Sequence, residues 1–472
     1  MTLRAGFGPL PIGALSDSNR RPLRGRRGAS FRATHDDGIT SSWRARAERE
    51  AKTSKAADLS VLGLRLRNDL TDGGDRHGSA RPAGQSARAR ATVECVTASG
   101  STSARLPAPR RVDPLRFFSA EQVARARSYH RPIYWSAAVE LTLATAFLAA
   151  LAWSAAGSAL DPGSLPWWAR TLAYVSIIIA LSATARTPLG FWRGYLRERR
   201  FGFSTQTARG WLIDRIKAVG INLVLVPPLL LAFVALARAL PGWWVAPAAA
   251  AFAFAVFVLS FLAPVLLAPL FNRFVPLDQE PLRSELQALA RAAGVPVEDL
   301  LVEDTSRRTR KANAYVTGLA RTRRLVVSDT LLADASLAEI HVVVAHELGH
   351  RKMRHVLLGT LLSLVGVIAS TVVVWATLGT AVADAHRLPL LLPIALALTL
   401  VTGPAANALS RRWEHKADRF ALELTGDRAA YEQTFRRLAA SNLSDLDPPK
   451  LVYLLLFTHP TTPQRLAAAV AE

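Results

Sequence analysis

Two histidines four residues apart, with a glutamate directly after the first, make up the segment His346-Glu347-Leu348-Gly349-His350. On a helix, positions i and i+4 share a face, so both imidazoles can reach one zinc ion while Glu347 comes beside the water that attacks there. Zinc lowers the pKa of such a water to about 7, and a neighbouring carboxylate can take its proton as a carbonyl is attacked. The pattern therefore predicts hydrolytic chemistry with one zinc ion per chain, of the kind that cuts peptide bonds.

Two imidazoles leave a third ligand to be found. A histidine ten positions after His346 could supply it, but Val356 stands there. His355 is one residue short, and on a straight helix it lies about 180° around from His346, so it is not expected to share the metal. A carboxylate from a later helix is the alternative, and Arg411–Leu424 offers Glu414, Asp418 and Glu423 beside His415. Glu414 and Asp418 are four apart and face the same way, which lets one bind zinc while the other hydrogen-bonds a ligand. A structural zinc site is normally closed by four protein ligands, whereas three ligands plus a carboxylate base leave a place for water.

These groups need elements to hold them. Ser336 and Glu339 have capping-box spacing, so a helix is predicted to start there and run through the His346 region. Ahead of it Asp278–Ala293 reads as a helix and Leu300–Glu303 as a strand. Ala314–Leu319 and Leu325–Ser328, with the polar Arg321–Arg324 between them, read as a β-hairpin.

Around this chemistry lie six apolar segments of roughly 20 residues, each long enough to cross a hydrocarbon core. They fall near Ser136–Ala156, Trp167–Ala185, Ala218–Ala237, Trp243–Leu267, Val356–Leu378 and Leu388–Leu409, after a short amphipathic helix at Phe118–Tyr129. Trp167, Trp168, Trp243 and Trp244 sit at segment ends, where indoles favour the headgroup region. Pro227-Pro228 is tolerated in a kinked membrane helix whose neighbours satisfy the freed carbonyls.

Composition agrees with a membrane protein. Half of the 472 residues are hydrophobic, yet the net charge is +22, a pairing that fits neither a plain soluble globule nor a disordered polymer. A nucleic-acid binder would share the charge but has no use for long apolar runs, so lipids and no nucleic acid are expected as partners. The single cysteine, Cys95, excludes an intrachain disulfide and a cysteine-rich zinc ribbon. Met1–Asp113, rich in Arg, Ser, Ala and Gly, carries roughly half of the net charge and reads as a disordered extension without a secretory signal. The linkers around Asp161, Pro241 and Asp384 are poor in Lys and Arg, whereas Arg186–Lys217 and Phe271–His355 are rich in them. The positive-inside rule then puts both termini and the zinc site in the cytoplasm, for a protein of a bacterial plasma (inner) membrane.

From about Phe118 onward the chain resembles the M48 zinc metallopeptidases, specifically the Ste24-type membrane proteases known as CAAX prenyl protease 1. The resemblance rests on Glu198-Arg199-Arg200-Phe201-Gly202-Phe203-Ser204, Pro269-Leu270-Phe271-Asn272-Arg273-Phe274, Asn313-Ala314-Tyr315-Val316-Thr317-Gly318-Leu319, the His346–His350 motif, Ser410-Arg411-Arg412-Trp413-Glu414-His415-Lys416-Ala417-Asp418 and His459-Pro460. It implies Glu414 as third ligand, a role for Asn313 beside the substrate, and His459 near the oxyanion. Arg465 could share that last task, and Asp418 would hold a ligand from behind. The strand containing Tyr315 could pair with an extended peptide by β-augmentation.

The expected fold is thus mainly α, a polytopic membrane protein of about six spans with a cytoplasmic, gluzincin-like α+β zinc protease domain and a small β-hairpin or sheet. Its expected parts are the extension 1–113, a membrane domain 114–269, and a peptidase domain 270–472 with two further spans. The expected activity is zinc-dependent endoproteolysis of membrane-associated or lipid-modified proteins and peptides. A heat-shock-type quality-control metalloprotease and a non-enzymatic membrane scaffold with a structural metal are the competing readings. Related eukaryotic proteases enclose a chamber with seven spans, where six are found here.

Overall fold

Ser119 and Gln122 start the first long helix by reciprocal capping: Ser119 Oγ accepts from the Gln122 N–H at 3.2 Å, and the Gln122 side chain accepts from the Ser119 N–H at 2.9 Å. In this computed structural model residues 111–318 and 323–471 are described, the side chains of 261–265 excepted. The expected disorder of Met1–Asp113 lies, up to residue 110, outside the described residues, as do Leu319 and Arg321 in the expected hairpin.

That first helix, α1 (Ala120–Trp153), runs unbroken through Pro132. The expected amphipathic helix at Phe118–Tyr129 and the expected first span are therefore one element. Proline lacks the N–H that would bond the carbonyl four residues back. That carbonyl, of Ser128, accepts instead from Nη2 of Arg197 at 2.8 Å, and the Tyr129 carbonyl accepts from the same group. A buried guanidinium thus takes over the bond that proline vacates, and its Cζ lies over the rings of Tyr129 and Phe201.

Three apolar helices follow: α2 (Trp167–Phe191), α3 (Ala208–Ala239), which continues through Pro227 and Pro228, and α4 (Val245–Leu266). A sheet comes next, with β1 (Phe274–Pro276), helix α5 (Leu282–Ala292), then β2 (Asp299–Glu303), β3 (Ala314–Thr317) and β4 (Arg324–Ser328). The strand order is β1-β2-β4-β3. β3 and β4 pair antiparallel with Ala314 opposite Val327, as a hairpin requires, but β4 also pairs parallel with β2, and β1 lies antiparallel outside β2. The sheet is therefore mixed and larger than a hairpin, and β3 is an edge strand.

The zinc-motif helix α6 (Leu337–Lys352) leads into α7 (His355–Leu378), α8 (Leu391–Thr425), α9 (Arg428–Ser441) and α10 (Thr462–Ala471). Among the described residues five segments, containing α1, α2, α3, α7 and α8, are long and apolar enough to cross a membrane. α4, 22 residues long, occupies the fourth expected segment, Trp243–Leu267. Leu143, Val224, Val365 and Val401 on these helices are exposed, a surface suited to lipid and not to water.

α6 is buried all round: Ile340, Val342, Val343, Val344, Ala345 and Leu348 have almost no exposed surface. Its apolar residues belong in a core, and its buried polar residues, Glu339, His346, Glu347 and His350, are carried into that core with them. Val342 packs in one cluster with Phe118, Val123 and Ala126 at the start of α1 and with Tyr431, Phe435 and Leu466 from α9 and α10. The entry to the first membrane helix and the motif helix thus share a core.

Candidate metal centre

The site begins with a cap. Ser336 Oγ accepts from the Glu339 N–H at 3.4 Å and Glu339 Oε2 accepts from the Ser336 N–H at 2.8 Å, which fixes where α6 starts and hence which residues fall on each face. The other oxygen of Glu339 accepts from Arg437 Nε at 2.6 Å, tying α6 to α9.

Two turns on, His346 and His350 project together, their Nε2 atoms 3.1 Å apart. The third group comes from α8. Glu414 Oε2 stands 3.4 Å from His346 Nε2, and Oε1 stands 3.2 Å from His350 Nε2. Ligands about 2.0–2.1 Å from a tetrahedral zinc are separated by about 3.3 Å, so the spacing of these three groups fits that ion. All three are buried, and their candidate ligand atoms lie within 4.8 Å of one another, a group that could hold a metal ion.

Gly349 makes this convergence possible. A Cβ at that position would lie 3.0 Å from the Phe420 ring and 3.3 Å from Ala417 Cα, so the absent side chain is what lets α8 approach α6 closely.

Each imidazole is held from behind. His346 Nδ1 donates to Asp418 Oδ1 at 2.9 Å, leaving Nε2 as the lone pair that faces Glu414. Asp418 is itself gripped by the guanidinium of Arg465, with Nη2 at 2.6 Å from Oδ1 and Nε at 2.8 Å from Oδ2. His350 Nδ1 lies 3.0 Å from His355 Nδ1, and the His355 ring stacks on Trp413 with centroids 5.2 Å apart.

Electrostatics favour a cation here. Burial alone would depress the His346 pKa, but its hydrogen bonds to Asp418 and Glu414 outweigh burial and raise it to about 9. Glu347, 2% exposed, has its pKa raised by the same burial, and its Oε1 has no hydrogen-bond partner among the described residues. An unpaired buried carboxylate oxygen beside three metal-binding groups suits a proton acceptor. His459 Nδ1 approaches Glu414 Oε2 at 2.8 Å, with its side chain 22% exposed at the rim.

The other sequence candidates fall differently. Asn313 sits just before β3, its N–H donating to Ser328 Oγ at 2.9 Å and its carbonyl accepting from the Ser328 N–H at 2.9 Å. Tyr315 was expected on the substrate side, but its hydroxyl is engaged by Glu303 within the sheet, and burial with that carboxylate raises its pKa. Arg465, also expected near substrate, is 6% exposed and committed to Asp418, with Glu414 Oε2 a further 3.2 Å from Nη2. It stabilises the ligand shell and has no open face.

His355 is the residue that the sequence reasoning set aside. The straight-helix premise fails because α6 ends at Lys352 and Arg354 adopts the left-handed conformation, φ 56°, before α7 begins. The turn folds His355 back onto His350. No glycine or proline marks the break, and the start of the apolar run at Val356 is its nearest signal.

Comparison with known proteins adds three findings. The family model described as "Peptidase family M48" matches residues 276–472, and that described as "CAAX prenyl protease N-terminal, five membrane helices" matches 114–273. In this second range the described residues hold four long apolar helices, α1 to α4. The chain is 33% identical to the uncharacterized metalloprotease YhfN of Bacillus subtilis (strain 168), over 64% of this chain and 74% of that protein. It is 29% identical to CAAX prenyl protease 1 of Saccharomyces cerevisiae, over 64% and 72%, and 29% identical to a CAAX prenyl protease 1 homolog of Arabidopsis thaliana, over 64% and 74%. The crystal structure of S. mikatae Ste24p shares the fold, with a TM-score of 0.63 and 23% identity across 76% of this chain and 92% of that one.

Proposed function

The chain belongs to peptidase family M48, a family of zinc metalloendopeptidases, and from that premise we propose that it cleaves membrane-associated, lipid-modified proteins or peptides at the cytoplasmic face of a bacterial plasma membrane. His346, His350 and Glu414 would hold the zinc, which when bound would acidify a water and polarise a carbonyl. Glu347 takes the proton of the attacking water on Oε1 and passes it to the leaving amine. Asp418, fixed by Arg465, keeps the proton of His346 on Nδ1, and His355 does the same service for His350. His459, whose Nδ1 lies 2.8 Å from Glu414 Oε2, keeps Nε2 to donate toward the charge that develops on the attacked carbonyl oxygen. The free edge of β3, entered at Asn313, pairs with an extended substrate.

One observation carries the choice of membrane-bound substrates. α8 is a single helix that leaves the apolar segment near Leu409 and presents Glu414 five residues, about 8 Å, later. A centre so close to the bilayer suits substrates that are themselves anchored there, and the relatives named CAAX prenyl protease point the same way.

The test is mass spectrometry of products from a farnesylated peptide and its unmodified twin, with wild type and Glu347→Gln. Preferential cleavage of the farnesylated peptide, abolished in Glu347→Gln, is expected. Equal cleavage of the two peptides would replace this reading with a lipid-blind quality-control protease.

A further inference from the structure

A cavity of about 1420 Å³ lies between α1, α2, α3 and the start of α8, larger than the roughly 300–1,000 Å³ typical of small-molecule sites. None of the metal-centre residues lines it, though Lys311, two residues before Asn313, does. Its walls divide by chemistry. One part is apolar, with Leu148 of α1, Ile179 of α2, Leu230 of α3 and Leu391 of α8. The other is ionic, with five cationic side chains, Arg186, Arg193, Arg215, Arg308 and Lys311, against the two carboxylates Glu140 and Glu198.

Both carboxylates are already engaged. Glu140 pairs with Arg186 and Arg193, and Glu198 pairs with Lys311 at 2.8 Å. Arg215 and Arg308 remain. Arg215 Nη2 donates to the Ala183 carbonyl at 3.2 Å, but its Nε is buried without a hydrogen-bond partner among the described residues. Arg308 Nη1 donates to the Asn272 side chain, while Nε and Nη2 are likewise buried and unpartnered. Asp214, Glu303 and Asp304 influence Arg308 from a distance, and no ion pair within 4.0 Å joins any of them to it among the described residues. Buried guanidinium N–H groups left unmade are costly, and an anion with several oxygens satisfies them in a forked geometry.

We propose that this cavity binds one anionic membrane phospholipid, its phosphate held by Arg215 and Arg308 and its acyl chains lying along the Leu148, Ile179, Leu230 and Leu391 wall. The amphipathic division selects a ligand with one charged end and one apolar end. Its place between apolar helices, with none of the metal-centre residues in its lining, favours a resident lipid over a substrate in transit, because basic pockets between membrane helices are where anionic head groups dock. The inference is independent of which peptide the protein cuts.

The full-length protein, purified with its metal, is equilibrated with mixed micelles containing dioleoyl phosphatidylglycerol or dioleoyl phosphatidylcholine, and retained lipid is read by native mass spectrometry. Wild type is expected to keep one phosphatidylglycerol per chain with about tenfold preference over phosphatidylcholine, as one charge-assisted contact set of this kind supplies. Arg215→Gln/Arg308→Gln should lose that preference, and Ile179→Trp, which leaves both cations in place, should lose retention. Unchanged zinc content in each variant establishes that it is folded; if the double variant fails this control, Ile179→Trp and the wild-type lipid preference decide. Equal retention of the two lipids by folded wild type, or an undiminished preference in the folded double variant, overturns the proposal. So does displacement of phosphatidylglycerol by millimolar inorganic phosphate, which would make the site a free-phosphate site, or by a farnesylated peptide with a free C-terminus, which would make it a substrate site.

Discussion

Nδ1 of His355 lies 3.0 Å from Nδ1 of His350, across a helix break and with the indole of Trp413 stacked on its far side. For His350 to offer Nε2 to zinc, its Nδ1 must carry the proton, so His350 donates and His355 accepts. Replacement of His355 by Ala removes that acceptor without touching a ligand. Zinc affinity is expected to fall by about 10–100-fold, the usual cost of losing such support, as read by competition with a chromophoric chelator. An unchanged affinity would show that His350 needs no such partner.

Asp418 and Arg465 form a buried, forked ion pair behind His346. Asp418→Asn keeps an oxygen for His346 but leaves a buried guanidinium facing the metal with half its counter-charge gone. Removing one partner of a buried pair costs about 3–5 kcal/mol, so chemical denaturation should show a loss of that order and metal content should drop with it. A variant as stable as wild type would mean that Arg465 finds another anion.

The raised pKa of His346, about 9 against an ordinary 6.5, gives a pH dependence whose sign can be worked out. In the metal-free protein the protonated imidazole is favoured by folding. That contribution is complete below pH 6.5 and is lost as pH rises through 9. Zinc must displace the same proton, so apparent zinc affinity of chelator-stripped protein should climb by about tenfold per pH unit between pH 7 and 9 and then level. Isothermal titration in buffers of different ionisation heat reads the released proton directly, and a flat profile would contradict this assignment.

Gly349→Ala leaves every metal-binding group in place, yet its new methyl would press on Phe420 and Ala417. Overpacking of this kind costs about 1–3 kcal/mol. The helices are expected to move apart and draw Glu414 away from the imidazoles, so zinc occupancy should fall more than stability does. Full occupancy in the purified variant would show that α8 can shift without moving its carboxylate.

Much of this centre was legible because its parts are local or periodic. The i, i+4 spacing of His346 and His350, the Ser336 and Glu339 cap, and the pairing of Glu414 with Asp418 are all read within one helix turn. What failed was where local signals compete with distant ones. The expected amphipathic helix at Phe118–Tyr129 and the expected span from Ser136 are one helix across Pro132, because the guanidinium that completes the turn there, Arg197, is far away in the chain. β1 is three residues ending in proline, too short to stand out, and exists because β2 offers it an edge. Tyr315 and Arg465 are polar groups in a functional neighbourhood, but Glu303 and Asp418 claim them, and only three-dimensional proximity reveals such claims.

Leu391 and Glu414 lie 23 positions apart on α8, about 35 Å of continuous helical rod at 1.5 Å per residue, with Pro404 between them. Leaning that rod by about 5° carries its far end sideways by about 3 Å, as much as the gap between Glu414 and either imidazole, and membrane helices lean to match the thickness of the bilayer around them. Turnover measured in vesicles of graded acyl length should therefore pass through a maximum, absent only if α8 keeps its angle. Glu414 is thus mounted on a lever whose fulcrum lies among the apolar helices, and the expected maximum would tie the spacing of the three converging groups to the fatty-acid composition of the host membrane.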